Sequence, residues 1–207
     1  SAPTRETSDL EGQVIGSSTN QYLGRALATG DVDGDGFSNR LVGNQDDDTV
    51  WLLSGGTSLP TATVDSASAG SFVANPGSVG NALGTAITVG DFDGDGLDDV
   101  MIGAPLDDTY VTNGGAVFGV AGGASGGTLT LPADADLELG GPTAARSPYT
   151  PATWTGPGAG SALASGDVDG DGYDDLLVGA PGEDSVGVNA GAVFMIYGFA
   201  TGMSGAT

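Results

Sequence analysis

Residues 30–43 read GDVDGDGFSNRLVG, residues 90–103 read GDFDGDGLDDVMIG, and residues 166–179 read GDVDGDGYDDLLVG. No other feature constrains the fold as much, because a chain made of copies folds as an array of like units. The match extends beyond the acidic stretch. LGRALATGDVDGDGFSNRLVGNQDDD, from Leu23, aligns without a gap with LGTAITVGDFDGDGLDDVMIGAPLDD, from Leu83. The third copy, AGSALASGDVDGDGYDDLLVGAPGED, starts at Ala159. Each copy runs on into a short apolar segment (TVWLLSGG, GAVFGVAGG, GAVFMIYGF) and is preceded by a looser one (SDLEGQVIG, ATVDSASAG, DADLELGG). The chain therefore reads as one region, 1–207, built from units at approximately 1–58, 59–126 and 127–207.

Each unit reads as a small sheet. Segments such as RALATGD and RLVGN flank the acidic stretch with small or β-branched residues and turn glycines, which predicts strand, loop and returning strand. Glycine fills 39 of 207 positions, well above the usual share of about 7%, and no segment keeps a helical period. About four short strands per unit, repeated along the chain, predict an all-β fold of propeller blades, each with four antiparallel strands. The stretch at 140–160, GGPTAARSPYTPATWTGPGAG, separates the second and third copies more widely and predicts an exposed loop carrying Tyr149 and Trp154.

The aspartates need a physical reason for being so close. Two carboxylates 4 Å apart repel by about 4 kcal/mol at an effective dielectric near 20. With the first acid as position 1, positions 3 and 5 are again Asp, and position 9 is Asn39, Asp99 or Asp175. Side chains at 1, 3, 5 and 9, with the carbonyl at position 7, make an oxygen cage for a hard cation, and glycines at 4 and 6 let the backbone wrap it. The expected ligands are Asp31, Asp33, Asp35, Phe37 and Asn39; Asp91, Asp93, Asp95, Leu97 and Asp99; and Asp167, Asp169, Asp171, Tyr173 and Asp175. Ca²⁺ suits this set better than Mg²⁺, since it takes many protein oxygens in loose geometry, so three Ca²⁺ sites are expected. An EF-hand needs a bidentate Glu at position 12; Val42, Ile102 and Val178 stand there instead. With Asn39 in place of a fourth carboxylate, the first loop is expected to bind Ca²⁺ less tightly than the other two.

Composition excludes several classes of function. There are 27 acidic residues against four basic ones, a formal charge of −23, and such a surface repels nucleic acid and anionic membrane. Of the 23 aspartates, 13 lie in the three loops, so general solubility does not account for them. With no cysteine and no histidine, thiolate sites, disulfides and the commonest general base are ruled out. No apolar run reaches the roughly 18 residues of a membrane span, and no signal peptide is legible at the N-terminus.

At these residues the chain resembles the FG-GAP repeats of the integrin α-subunit β-propeller and its bacterial relatives. The GAP element stands at Gly103, Ala104 and Pro105 and at Gly179, Ala180 and Pro181, and becomes GNQ at 43–45. The FG element appears as Leu23-Gly24, Leu83-Gly84 and Ala159-Gly160. The resemblance implies that Ca²⁺ rigidifies a hairpin loop on one rim of the propeller and that the repeats serve adhesion or ligand recognition, not catalysis. It also implies a ring of about seven blades, which three units alone do not make. A spare strand ahead of the first unit and a missing one after the third suggest two chains closing head to tail into a homodimer; a piece of a longer propeller fits the same pattern.

The expected function is a calcium-binding, extracellular or cell-surface module for adhesion or protein recognition. Millimolar calcium outside the cell suits loops of this kind. The ligand, protein or glycan, is not legible. A carbohydrate-binding propeller is the alternative, with Trp51, Phe118 and Phe194 repeating in register, although their apolar strands suit a core better. A non-catalytic part of a secreted hydrolase is a further reading. The acid pairs Asp47-Asp48, Asp107-Asp108 and Glu183-Asp184 suggest paired-carboxylate chemistry. A catalytic pair, however, does not recur with every unit, so no enzyme is expected.

Overall fold

The computed structural model of the chain describes residues 14–16, 23–56, 62–64, 73–75, 80–108, 114–123, 127–131, 133–140, 158–184, 186–198 and 200. Tyr149 and Trp154 lie outside the described residues. Those that are described form short strands and turns, with one 3-10 turn at Gln45–Asp47 and no α-helix. β1 (Val14–Gly16) and β5 (Ala62–Val64) make a parallel two-stranded ribbon. The remaining strands form three sheets, each built on the acidic hairpin of one copy.

The first sheet runs β2 (Leu27–Gly30), β3 (Asn39–Asn44), β4 (Thr49–Leu53), β6 (Val73–Asn75) and β10 (Thr128–Thr130). The second runs β7 (Ala86–Gly90), β8 (Asp99–Ala104), β9 (Ala116–Val120) and β11 (Leu137–Leu139). The third contains β12 (Ala162–Gly166), β13 (Asp175–Ala180) and β14 (Ala192–Ile196). The antiparallel blade motif is shared, but the number of strands differs from sheet to sheet. Leu137–Leu139, which in sequence stands ahead of the third copy, pairs with the free edge of β9 and completes the second sheet. β10 returns to the first sheet and adds in parallel to the edge of β6. An unpaired strand edge recruits whichever extended segment reaches it, and both outer strands are only three residues long.

Register is what positions the acidic loops. Gly30 pairs with Asn39, Gly90 with Asp99 and Gly166 with Asp175. Positions 1–8 therefore form a hairpin tip, and position 9 is the first residue of the returning strand. Glycines at positions 4 and 6 hold positive φ in all three tips, from +72° at Gly34 to +95° at Gly172, a conformation that costs a residue with a Cβ.

The sheets stack face to face, with β2 beside β7 and β7 beside β12. Between the first two sheets lie Leu41, Val50 and Leu52 against Ile87, Ile102 and Phe118. Between the second and third lie Met101, Val117, Leu137 and Leu139 against Leu176, Val178 and Ile196. Because the second sheet has a core on each face, all six residues of β8 are buried; a strand covered on one face only would alternate. On the outward face of the first sheet, Val14 of β1 packs on Val42, Trp51 and Leu53. The outward face of the third sheet, with Val193 and Met195, is exposed.

Glycine also sets the spacing between sheets. Gly43 faces the carbonyl oxygen of Gly84, and Gly103 that of Gly160, each too closely to admit a Cβ. Gly84 and Gly160 both hold positive φ. The FG and GAP elements thus meet as a backbone-on-backbone joint between consecutive sheets.

Candidate metal centre

In each hairpin tip three carboxylates converge, with one oxygen from each lying within 4.8 Å of the others. The trios are Asp31, Asp33 and Asp35; Asp91, Asp93 and Asp99; and Asp167, Asp169 and Asp175. In the second and third tips the trio uses position 9. In the first, where position 9 is Asn39, Asp35 takes part instead. The acids at position 5 also have a local role: Asp35, Asp95 and Asp171 accept the amides of Phe37 (2.8 Å), Leu97 (2.8 Å) and Tyr173 (3.0 Å).

The loops are folded by amides aimed at the same acids. The position 6 glycines donate to the position 1 carboxylates, Gly36 to Asp31 at 2.9 Å, Gly96 to Asp91 at 3.1 Å and Gly172 to Asp167 at 3.1 Å. Gly94 and Gly170 donate to the other oxygens of Asp91 and Asp167, both at 2.7 Å. Position 9 is fully buried in every copy. Asp99 accepts from Phe92 (3.0 Å) and Gly122 (2.8 Å), and Asp175 from Val168 (2.8 Å) and Gly198 (2.9 Å). Position 9 therefore ties the second and third tips to the turn that follows the third strand.

Charge remains uncompensated by amides alone. Burial pushes the Asp99 carboxyl up to about 7; Asp93 and Asp95 add repulsion, and the amides of Gly122 and Phe92 oppose it. Asp169 is raised by desolvation and by Asp171, Asp175 and Asp167. Asp174 is raised by desolvation and by Asp98, Asp91 and Asp167, against the Asp91 backbone hydrogen bond. In the first tip, Asp31 Oδ1 and Asp33 Oδ1 are buried with no hydrogen-bond partner. A buried carboxylate oxygen without a donor calls for a cation, and an all-oxygen donor set suits a hard one. The residues present fit Ca²⁺.

Two acids outside the expected set have the longest reach. Asp98 Oδ2 accepts the amide of Asp31 at 2.7 Å, and the Asp98 amide donates to the Asp31 carbonyl at 3.2 Å. Asp174 treats Asp91 in the same way, at 3.2 and 2.9 Å. Position 8 of one tip thus grips position 1 of the preceding tip; in the first tip that position is Ser38. Their signal in the sequence was the doublet Asp-Asp at 98–99 and 174–175. Neighbours entering a strand point to opposite sides, so only one of the two faces its own loop.

The acid pairs follow the second strand of each sheet, and that of the first reaches across the joint to the second unit. Asp48 accepts the Leu83 amide at 2.9 Å and the Gly80 amide, and Asp107 accepts from the Asn81 side chain at 2.7 Å. Asp48, Asp107 and Glu183 are buried. Trp51 and Phe118 are buried too, and Phe194 packs on the second core, so the repeated aromatics form core and no exposed sugar platform.

Comparison with known proteins agrees with this geometry. The FG-GAP repeat family model matches residues 83–120 and 159–194, the second and third copies. Integrin alpha-PS2 of Drosophila melanogaster is 31% identical over 209 aligned residues, covering 95% of this chain and 13% of that protein. Integrin alpha-PS5 of the same organism is 27% identical over 194 residues, 86% of this chain and 17% of its own length. The chain spans less than a fifth of either relative.

Proposed function

The chain is an FG-GAP repeat protein similar to integrin α subunits, and from that premise we propose that it is a calcium-binding recognition module acting in adhesion outside the cell. The observation that carries the reading is the recurrence of a converging acid trio at the same hairpin tip of all three sheets. The bound ion supplies positive charge that offsets carboxylate repulsion; it is structural. Asp31, Asp33, Asp35 and Asn39, with their counterparts in the other tips and the carbonyls of Phe37, Leu97 and Tyr173, would hold it. Burial of one acid in each repeated pair, and the packing of the repeated aromatics into the cores, supports binding over paired-carboxylate catalysis or sugar stacking. Sites of exposed loops suit millimolar calcium, which supports an extracellular setting. Calorimetric titration with Ca²⁺ and thermal melts in Ca²⁺ and in EDTA test the reading. Heat of binding at the three tips and a melting temperature lowered by EDTA are expected; equal melting temperatures would refute it.

For its own association, we propose that the outward face of the third sheet accepts the first sheet of a second copy. Gly179 meets no other sheet, whereas Gly43 and Gly103 each hold a carbonyl of the next sheet. Val193 is 70% exposed, although its counterpart Val117 is buried. The complementary parts stand on the first sheet. Leu27 is 67% exposed where Ile87 and Leu163 pack between sheets, and Gly24 keeps the positive φ of Gly84 and Gly160 with open space where a Cβ would stand. Light scattering is expected to give a dimer that Val193→Asp and Leu27→Asp each dissociate. A monomer at all concentrations would overturn the proposal and leave the face to a sheet from another polypeptide.

A further inference from the structure

Asp98 occupies one position between two expected ligands of the second tip, Leu97 and Asp99, while its own carboxylate and amide hold Asp31, the first ligand of the first tip. Asp174 stands between Tyr173 and Asp175 and holds Asp91. The contacts are reinforced by packing. The Leu97 side chain lies against Gly34 at a distance that leaves no room for a Cβ, and the Tyr173 ring lies as closely against Gly94. Gly123, in the turn tied to Asp99 through Gly122, donates to the carbonyl of Val32 at 2.7 Å. Each junction between tips is thus one backbone hydrogen bond, one carboxylate accepting a backbone amide, and a side chain laid on a glycine. In the third tip, Gly166 and Gly170 have open space where a Cβ would stand, whereas Gly30, Gly34, Gly90 and Gly94 face residues of the next tip.

We propose that Asp98 and Asp174 are positioning residues that couple the calcium tips of adjacent sheets, so that an ion in one tip raises the affinity of its neighbour. The proposal rests on the calcium reading given above. Fixing Leu97 and Asp99 around an ion fixes the peptide of Asp98 between them. That peptide holds the backbone of Asp31 and so sets the direction of the Asp31 carboxylate. A tip whose first ligand is already oriented has less conformational freedom to lose on binding. The coupling is reciprocal, because each ion must favour the other by the same factor. Position 8 differs from a ligand in this: its substitution removes the factor by which each tip favours the other, and leaves the affinity of its own tip, measured with the preceding tip empty, unchanged.

The experiment is a Ca²⁺ titration of the full chain followed tip by tip through the amide resonances of Gly36, Gly96 and Gly172, each of which donates to the first carboxylate of its own tip. The parent chain is expected to fill cooperatively. Asp98→Ala is expected to weaken the first tip by on the order of tenfold, to abolish the cooperativity, and to leave unchanged only the affinity of the second tip when the first is empty. Asp98→Asn, whose side-chain carbonyl still accepts the Asp31 amide, is expected to retain the coupling. Independent filling in the parent would overturn the inference, as would an unchanged first tip in Asp98→Ala. Equal losses in Asp98→Ala and Asp98→Asn would overturn it as well, by assigning the effect to charge alone. If none of the three resonances responds to Ca²⁺, the calcium reading itself falls, and the inference with it; response at all three without coupling leaves that reading intact.

Discussion

Gly103 lies against the carbonyl oxygen of Gly160 with no space for a Cβ between them. The contact joins the second sheet to the third, and Gly43 with Gly84 repeats it between the first and second. Gly103→Ala must push two sheets apart or bend β8, and overpacking of this kind costs about 1–3 kcal/mol. For a chain of this size that lowers the melting temperature by about 2–4 °C per kcal/mol. Gly179→Ala meets only Ala162 of its own sheet and is expected to lose far less. Thermal melts of the two variants, measured in Ca²⁺ at a concentration where the chain is monomeric, make the comparison.

Asp48 holds a left-handed conformation, with φ of 50°, and accepts the amides of Leu83 and Gly80 across the first joint. Asp48→Ala leaves the buried Leu83 amide without an acceptor and releases that of Gly80, an exposed residue. The buried unsatisfied amide costs about 1–3 kcal/mol, so this variant is expected to be clearly less stable than the parent. Asp48→Asn keeps one acceptor and should fall between it and the parent. Denaturant unfolding in Ca²⁺ measures the order, and equal stabilities of Asp48→Ala and the parent would remove the carboxylate from the joint.

The local parts of this arrangement were legible in the sequence, and the long-range parts were not. Acid spacing and paired glycines lie within nine consecutive residues, so the hairpin tips, the trios of acids and the blade-like sheets could be read from residues 31–39, 91–99 and 167–175. The partner of Asp98 is 67 positions away, and no local pattern names it. Outer strands were hard to assign for a different reason. TLT and LEL are three residues each, and their place depends on which sheet edge is open nearby, so DADLELGG joins the second sheet instead of preceding the third. The repeated Trp51, Phe118 and Phe194 were readable as core because apolar neighbours surround them in every copy.

Affinities should rank the tips by two structural differences. The first and second tips are gripped by Asp98 and Asp174, whereas the described residues give the third no such grip. The second and third carry an acid at position 9, and the first carries Asn39. Only the second has both advantages, so it is expected to bind Ca²⁺ most tightly. Asn39→Asp is expected to strengthen the first tip. It should also destabilise the calcium-free chain, because the Asn39 side-chain amide now donates to Asp33 at 3.1 Å and a carboxylate would repel it. Site-resolved titration and melts in EDTA read the two effects separately.

Calcium-free stability should depend on pH in the sense opposite to that of most acidic proteins. The Asp99 carboxyl titrates near 7 when folded against 3.8 as an ordinary aspartate, chiefly through burial. Between those values the folded chain binds the proton and the unfolded chain has released it. Stability then falls as pH rises through that window, and the contribution levels off above it. Asp174 and Asp169 are raised too, so they add with the same sign. In EDTA the melting temperature is therefore expected to rise as pH is lowered from 7 toward 5, and Asp99→Asn, neutral throughout, should flatten the profile. Calcium reverses the slope, because the ion binds the ionised carboxylate and proton release precedes it. A calcium-free melting temperature that climbs with pH from 5 to 7 in the parent would place the proton elsewhere and contradict the buried, repelled state of Asp99.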